Sequence, residues 1–268
     1  MNCASEPVKN SSPCLPEREG VAVLVTRPEP DNETTASALR AMGREALLSP
    51  VLRFEAAAFE IDRGANYGAV IVTSANALRA LAVHPGIESL LKLAVFAVGR
   101  HTAEAARRVG FQDVVAAAGD AAALCELIVK RVRAKSLPKG ARILYLAAAD
   151  RSCDLAGKLE GHGLAVVTTT CYRMAPVASL SREVCDAFAA HRISAVLHYS
   201  RRSARAFLDA VRIGGVEISA LAVPQCCISG AVASVLRDAG APHVVEASAP
   251  AEEAVLEALD CALRPASQ

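Results

Sequence analysis

The sequence predicts an α/β protein of two similar parallel-sheet domains, joined by two linker strands and facing each other across a cleft. Three observations lead there. Short apolar runs rich in Val, Ile and Leu alternate with Ala-rich helical stretches, the pattern of strands buried on both faces of a parallel sheet with helical crossovers. The chain also repeats itself. Val70-Ile71-Val72-Thr73-Ser74-Ala75-Asn76 is echoed by Ala195-Val196-Leu197-His198-Tyr199-Ser200-Arg201-Arg202-Ser203, and Phe96-Ala97-Val98-Gly99-Arg100-His101-Thr102-Ala103 by Cys226-Cys227-Ile228-Ser229-Gly230-Ala231-Val232-Ala233. Finally, about ten strands are more than one doubly wound sheet holds comfortably, and 268 residues suffice for two cores.

Taken in order, 21–25 is an unbroken apolar run and reads as a buried strand, followed by a helix over 31–42 that Gly43 closes. A second strand spans 45–52 and is interrupted by Pro50, which suits an edge or a crossover out of one sheet. A polar stretch over 60–67 precedes a strand at 69–72 and a helix starting near Asn76. Further units follow: a strand at 93–98 with a helix at 102–109, a short strand at Val114-Val115, and a helix over 121–133. After Ser136-Leu137-Pro138-Lys139-Gly140 the pattern restarts, with strands at 142–146 and 165–172 around a helix at 153–160. Later strands at 195–199, 225–228 and 243–246 alternate with helices near 203–211, 232–239 and 252–263.

The wiring follows from a further likeness. Residues 21–52 resemble 142–172: strand, helix, Gly, strand, each running into a Pro-containing segment at Pro50 and Pro176. If both mark crossings between sheets, one domain holds 20–51 and 175–268 and the other, inserted, holds 54–172. Residues 1–19, rich in Ser, Pro, Glu and Asn without an apolar core, read as a disordered leader rather than a signal peptide or anchor.

Composition excludes several classes. A formal net charge of +1 carries no basic footprint for nucleic acid, and no apolar stretch is long enough to span a membrane. Nine cysteines, an odd count without a C-x-x-C pair, argue for reduced thiols and a cytoplasmic protein. No metal site is expected, because no His/Cys/Asp cluster has ligand spacing. A dinucleotide fingerprint, a phosphate-binding P-loop and a nucleophile elbow are all missing, and no acid–base pair stands out.

The repeated loops carry the remaining signal. Thr73-Ser74-Ala75-Asn76 follows a buried strand; it serves equally as a helix N-cap and as a cradle of amides and hydroxyls for a carboxylate or phosphate. Gly99-Arg100-His101-Thr102 has the same double meaning, with Gly99 allowing close backbone approach, and Ser200, Arg201 and Ser203 repeat it in the other half. Tyr172 ends a strand at the expected linker, where it either packs with its hydroxyl wet or forms part of the cleft floor.

Together, Val23-Leu24-Val25-Thr26-Arg27-Pro28, Leu48-Ser49-Pro50-Val51, Val72-Thr73-Ser74-Ala75-Asn76-Ala77, Ala97-Val98-Gly99 with Thr102-Ala103, and Tyr172 after a Val/Thr strand resemble uroporphyrinogen-III synthases over nearly the whole folded chain. The resemblance implies two flavodoxin-like domains and an enzyme that cyclises the linear tetrapyrrole hydroxymethylbilane. Water is lost, ring D inverts through a spirocyclic intermediate, and no cofactor takes part. It further implies a monomer, with Tyr172 assisting departure of the hydroxyl. Thr102, Ser74, Ser200 and Arg27 match cleft positions, and Thr73, Ala75, Asn76, Gly99, Arg100, His101, Arg201, Ser203, Ser229 and Gly230 lie beside them as candidate substrate contacts. The chain departs from the family pattern at Ile228-Ser229-Gly230-Ala231-Val232-Ala233, where the glycine is displaced and Val232 replaces a threonine, and at Tyr145-Leu146-Ala147-Ala148-Ala149-Asp150, which lacks an Arg-Gly. Two alternatives use the same loops: a non-enzymatic two-domain protein that binds an anionic metabolite, and a homologue that binds tetrapyrrole without turning it over.

Overall fold

The computed structural model describes residues 21–117, 121–134, 141–151 and 153–264. The leader expected over 1–19 lies outside them. The chain divides into two compact units: unit 2 is Leu52–Pro176, and unit 1 takes the segments on either side.

Unit 1 begins with β1 (Ala22–Val25), whose four residues are all buried. It continues through α1 (Asp31–Ala41) to β2 (Glu45–Leu48). Gly43, at φ +71°, takes the left-handed turn that ends α1. After unit 2 the chain returns with α6 (Arg182–Ala189), β9 (Ile193–His198), α7 (Arg201–Ile213), α8 (Glu217–Ala222), β10 (Gln225–Cys227), α9 (Gly230–Asp238), β11 (Val244–Glu246) and α10 (Glu252–Leu263). Its five strands form one parallel sheet in the order β11-β10-β9-β1-β2. The helices bury Leu39, Phe188, Phe207, Val211, Leu236, Val255 and Leu259 around it.

Unit 2 runs β3 (Leu52–Ala56), β4 (Tyr67–Val72), α2 (Ala75–Ala82), β5 (Ala94–Val98), α3 (Gly99–Val109), β6 (Val114–Ala117), α4 (Ala121–Arg133), β7 (Arg142–Ala148), α5 (Leu155–Glu160) and β8 (Val166–Pro176). The order of its six-stranded sheet is β3-β8-β7-β4-β5-β6. One face packs on α2 and α3 through Val70, Leu78, Leu81 and Phe111; the other packs on α4 and α5 through Ile71, Phe96, Leu124 and Ile128.

The halves are circular permutations of one another. Reading β11-β10-β9-β1-β2 against β6-β5-β4-β7-β8 gives every strand of unit 1 a counterpart in sheet order and leaves only β3 of unit 2 over, although β1 and β2 come first in the chain while β7 and β8 come last in their unit. The two sequence repeats fall on β4–α2 with β9–α7, and on β5–α3 with β10–α9.

Four expectations are corrected. The strand expected over 45–52 is two strands: Pro50 has no N–H for a ladder, the chain leaves the first sheet there, and β3 starts afresh at Leu52. That strand breaks the all-parallel pattern by running antiparallel to β8, with Glu55 opposite Arg173 at 2.6 Å. Tyr172 does not end its strand, because β8 runs on to Pro176 under this pairing. Gly99, Arg100 and His101 are not a loop but the first turn of α3, which Gly99 opens at φ +72°.

Candidate active site

In an open parallel sheet, ligands settle beyond the carboxyl ends of the strands where the strand order reverses, because the loops there diverge and leave a crevice. In unit 2 that point lies between β4 and β7, and a cavity of about 350 Å3 opens there. Its walls are Thr73 and Ser74 after β4, Val98 at the end of β5, Ala121 at the start of α4, Tyr145 and Ala148 on β7, Asp150, Arg151 and Cys153 beyond it, and Tyr172 on β8.

Tyr172 is buried and packed. Its side chain is only 5% exposed and its ring stacks on Phe54 at 5.7 Å between centroids. Phe54 in turn carries the Arg79 guanidinium at 4.6 Å, a cation–π contact that steadies the stack. Antiparallel pairing of β3 with β8 builds this support, placing Ala56 opposite Tyr172 and Phe54 opposite Met174. Tyr145 reaches the same cavity from the other face of the sheet, its hydroxyl 3.4 Å from Thr73 Oγ1.

The predicted loop residues of unit 2 divide between cavity and helix. Thr73 and Ser74 line the cavity, and Gly99 follows its wall residue Val98; Ala75, Asn76, Arg100, His101 and Thr102 are not among the lining residues. Ser74 is the N-cap of α2, its Oγ accepting from Asn76 N at 3.2 Å. Asn76 also donates to Met174 Sδ at 3.5 Å. Arg100 and His101 are exposed on α3, and Thr102 is 6% exposed. No side chain caps α3, so its leading amides have no side-chain acceptor.

Unit 1 treats its reversal point differently. Arg27, after β1, donates to Glu252 at 2.5 Å and to Asp31 at 3.0 Å, and lies over the Tyr199 ring at 4.2 Å. Glu252 also accepts from Thr35 at 2.6 Å and from the Tyr199 hydroxyl at 3.0 Å. Burial, with the Glu252 charge behind it, pushes the Tyr199 phenol well up, so it stays a donor. Ser200 caps α7 through Ser203 N at 3.0 Å and meets Ser203 Oγ at 2.7 Å, while Arg201 is exposed. Ser229 is the N-cap of α9 without a side-chain bond. A Cβ at Gly230 would lie 2.9 Å from a Glu246 carboxylate oxygen, so the protein's own anion already faces that helix end.

Sequence reasoning missed Tyr145, Asp150, Arg151 and Cys153. A charged residue directly after a central strand of a doubly wound sheet was the available signal, and Asp150-Arg151 fits it. Among the described residues no group of three His, Cys, Asp or Glu could hold a metal ion, and no helix is long and apolar enough to cross a membrane.

Known proteins share this fold, and a known family matches this sequence. The family model of the uroporphyrinogen-III synthase HemD matches residues 33–257. The uroporphyrinogen-III synthetase of Helicobacter pylori shares the fold at a TM-score of 0.61 and 20% identity, covering 91% of this chain and 99% of its own. A mutant uroporphyrinogen III synthase from the extremely thermophilic bacterium Thermus thermophilus aligns at a TM-score of 0.49 and 17% identity, covering 91% and 98%. No curated protein matches by direct sequence comparison. With its family model spanning 33–257, the chain belongs to the uroporphyrinogen-III synthase family, the cyclising lyases of haem biosynthesis.

Proposed function

We propose that this enzyme closes hydroxymethylbilane to uroporphyrinogen III with no cofactor, using unit 2's cavity for the chemical step. The observation that carries this reading is Tyr172, a phenol clamped on Phe54 in the wall of a cavity at a sheet's reversal point. The phenol donates its proton to the departing hydroxyl, which leaves as water, and the electron-rich pyrrole expels it. Ring D then attacks through its substituted carbon, the spirocyclic intermediate opens, and the macrocycle closes with ring D inverted. The substrate also closes unaided to the unflipped isomer, so the enzyme's main task is to hold one folded conformation.

Holding falls to amides more than to charges. The leading N–H groups at Thr73, Ser74 and Ala75 before and in α2, and at Gly99, Arg100 and His101 in α3, are proposed to take substrate carboxylates, the Asn76 N–H being already given to Ser74 Oγ and the Thr102 N–H lying within the helix. So are those of Ser200 and Arg201 in unit 1, where the Ser203 N–H is already given to Ser200 Oγ. Arg27 supports its own loop first, being paired with two carboxylates. The seven described cysteines are all free, which supports a reducing, cytoplasmic setting. A monomer is proposed with it.

The test supplies hydroxymethylbilane and separates the uroporphyrin isomers after oxidation. Isomer III in excess supports the reading; only isomer I, at the uncatalysed rate, refutes it and leaves a tetrapyrrole-binding protein. Tyr172→Phe is expected to lower kcat by about one to three orders of magnitude. The ring still stacks on Phe54, so Tm moves little, and wild-type turnover in this variant would reduce Tyr172 to packing.

A further inference from the structure

We propose that Arg151 is the residue that binds a substrate carboxylate at the catalytic cavity, an inference that rests on the function proposed above. Three observations converge on it. Arg151 lies beyond β7, across the reversal point from Thr73 and Ser74, and lines the same cavity as Tyr172. It is exposed and has no ion-pair partner among the described residues. Arg27, which follows β1, the strand equivalent to β7 in the permuted half, is instead held by Asp31 and Glu252 and stacked on Tyr199.

The two arginines therefore do different work. A guanidinium shared by two carboxylates presents no net positive charge to a ligand, and freeing it would leave Glu252 partly buried with a lost partner. Arg151 carries no such obligation and can offer its planar fork to a carboxylate in a bidentate pair. Asp150 sits on the same rim, and its negative charge opposes loose approach of an anion. An anion then gains there only by engaging the guanidinium directly, which favours a carboxylate of matching geometry over diffuse attraction. The substrate, a polycarboxylate, supplies such a group on whichever pyrrole enters the cavity. Fixing one acidic side chain beside Tyr172 selects which end of the linear tetrapyrrole is presented to the phenol.

Steady-state kinetics of the full chain with hydroxymethylbilane test this. Arg151→Gln is expected to raise KM about 10- to 100-fold with kcat within about threefold, the signature of lost uniform binding, and Arg151→Lys to recover part of the loss. Asp150→Asn is expected to lower KM. The wild-type Tm is expected in Arg151→Gln, because the side chain is exposed and unpaired. An unchanged KM overturns the proposal. A loss confined to kcat, or one accompanied by a lower Tm, also overturns it by assigning Arg151 to chemistry or to folding. Failure of the wild-type chain to form isomer III is a separate result: it refutes the function, whereas an active wild type with an indifferent Arg151→Gln refutes this inference alone.

Discussion

Acidification is expected to destabilise unit 1 through His198, and the size of the effect follows from its surroundings. The ring sits at the end of β9 with no solvent exposure, edge-on to Phe207 at 5.1 Å. Gln225 spends its amide N–H groups on the carbonyls of Ala220 and Val223, so its Oε1 is an acceptor and His198 Nε2 donates to it at 2.9 Å. The proton is thereby placed on Nε2, and Nδ1 is left buried with no partner among the described residues. Burial opposes the charged form and brings the imidazole from 6.5 down to about 4, the Gln225 bond only partly offsetting it. The folded state thus binds fewer protons than the unfolded state between these values. Stability is full above pH 6.5, falls as pH drops, and levels off below about 4. From those two values the loss at pH 5 is about 2 kcal/mol, rising to about 3 kcal/mol in the acid limit. The assay is urea unfolding at neutral pH and at pH 5, for the wild type and for His198→Gln, which keeps a donor toward Gln225 but does not titrate. Other groups titrate alike in both proteins, so the difference between them isolates the imidazole. The variant's deficit at neutral pH should shrink by about 2 kcal/mol at pH 5. A deficit independent of pH would show that His198 is not the acid-sensitive group.

Two further predictions use the loops. Ala75 is the first residue of α2 and follows Ser74 in extended backbone at φ −154°, ψ 148°, the setting in which proline is accepted. Ala75→Pro should therefore fold with nearly unchanged Tm while removing one amide, and KM for hydroxymethylbilane should rise several-fold; unchanged kinetics would exclude that amide from binding. Arg27→Ala strips Glu252 of its cation and leaves only the Thr35 and Tyr199 hydroxyls, so unfolding free energy should fall by about 1–3 kcal/mol. Wild-type stability in this variant would mean that the cluster is too well hydrated to matter.

Legibility in the sequence tracked how local each cause is. The central strands are unbroken apolar runs, and the repeats mark β4–α2 and β9–α7 because one short strand–loop–helix pattern serves both. β3 was not legible: Arg53 and Glu55 alternate in it, and the partner that makes them a strand face, Arg173, lies 118 positions from Glu55. α6 and α8 carry little local signal: α8 has only six residues, and the Ser181 cap of α6 sits among Ala and Ser. In the site, Thr73 and Ser74 were marked by the repeated loops and Tyr172 by its place at the expected linker, and the family resemblance added their roles. Tyr145 had no such mark, since only folding brings its hydroxyl to Thr73, 72 positions away. Arg27 was legible as a basic position but not as an engaged one, because Glu252 is 225 positions distant.

The permuted wiring also imposes an order of assembly. Unit 2 is one continuous segment and completes its sheet from its own residues once β8 has formed. Unit 1 cannot close until β1 meets β9, a pairing whose Thr26–Leu197 hydrogen bond spans 171 positions. Searching for that contact with the intervening chain unstructured carries a large loop-closure entropy. A finished unit 2 removes most of it, because pairing Leu52 with Pro176 brings the two exits side by side and turns a long loop into a short tether. During synthesis, β1 emerges early and, although β2 covers one of its edges, keeps the other open to other chains until β9 is made. Substitutions that slow unit 2 therefore lengthen the exposure of a strand they never touch.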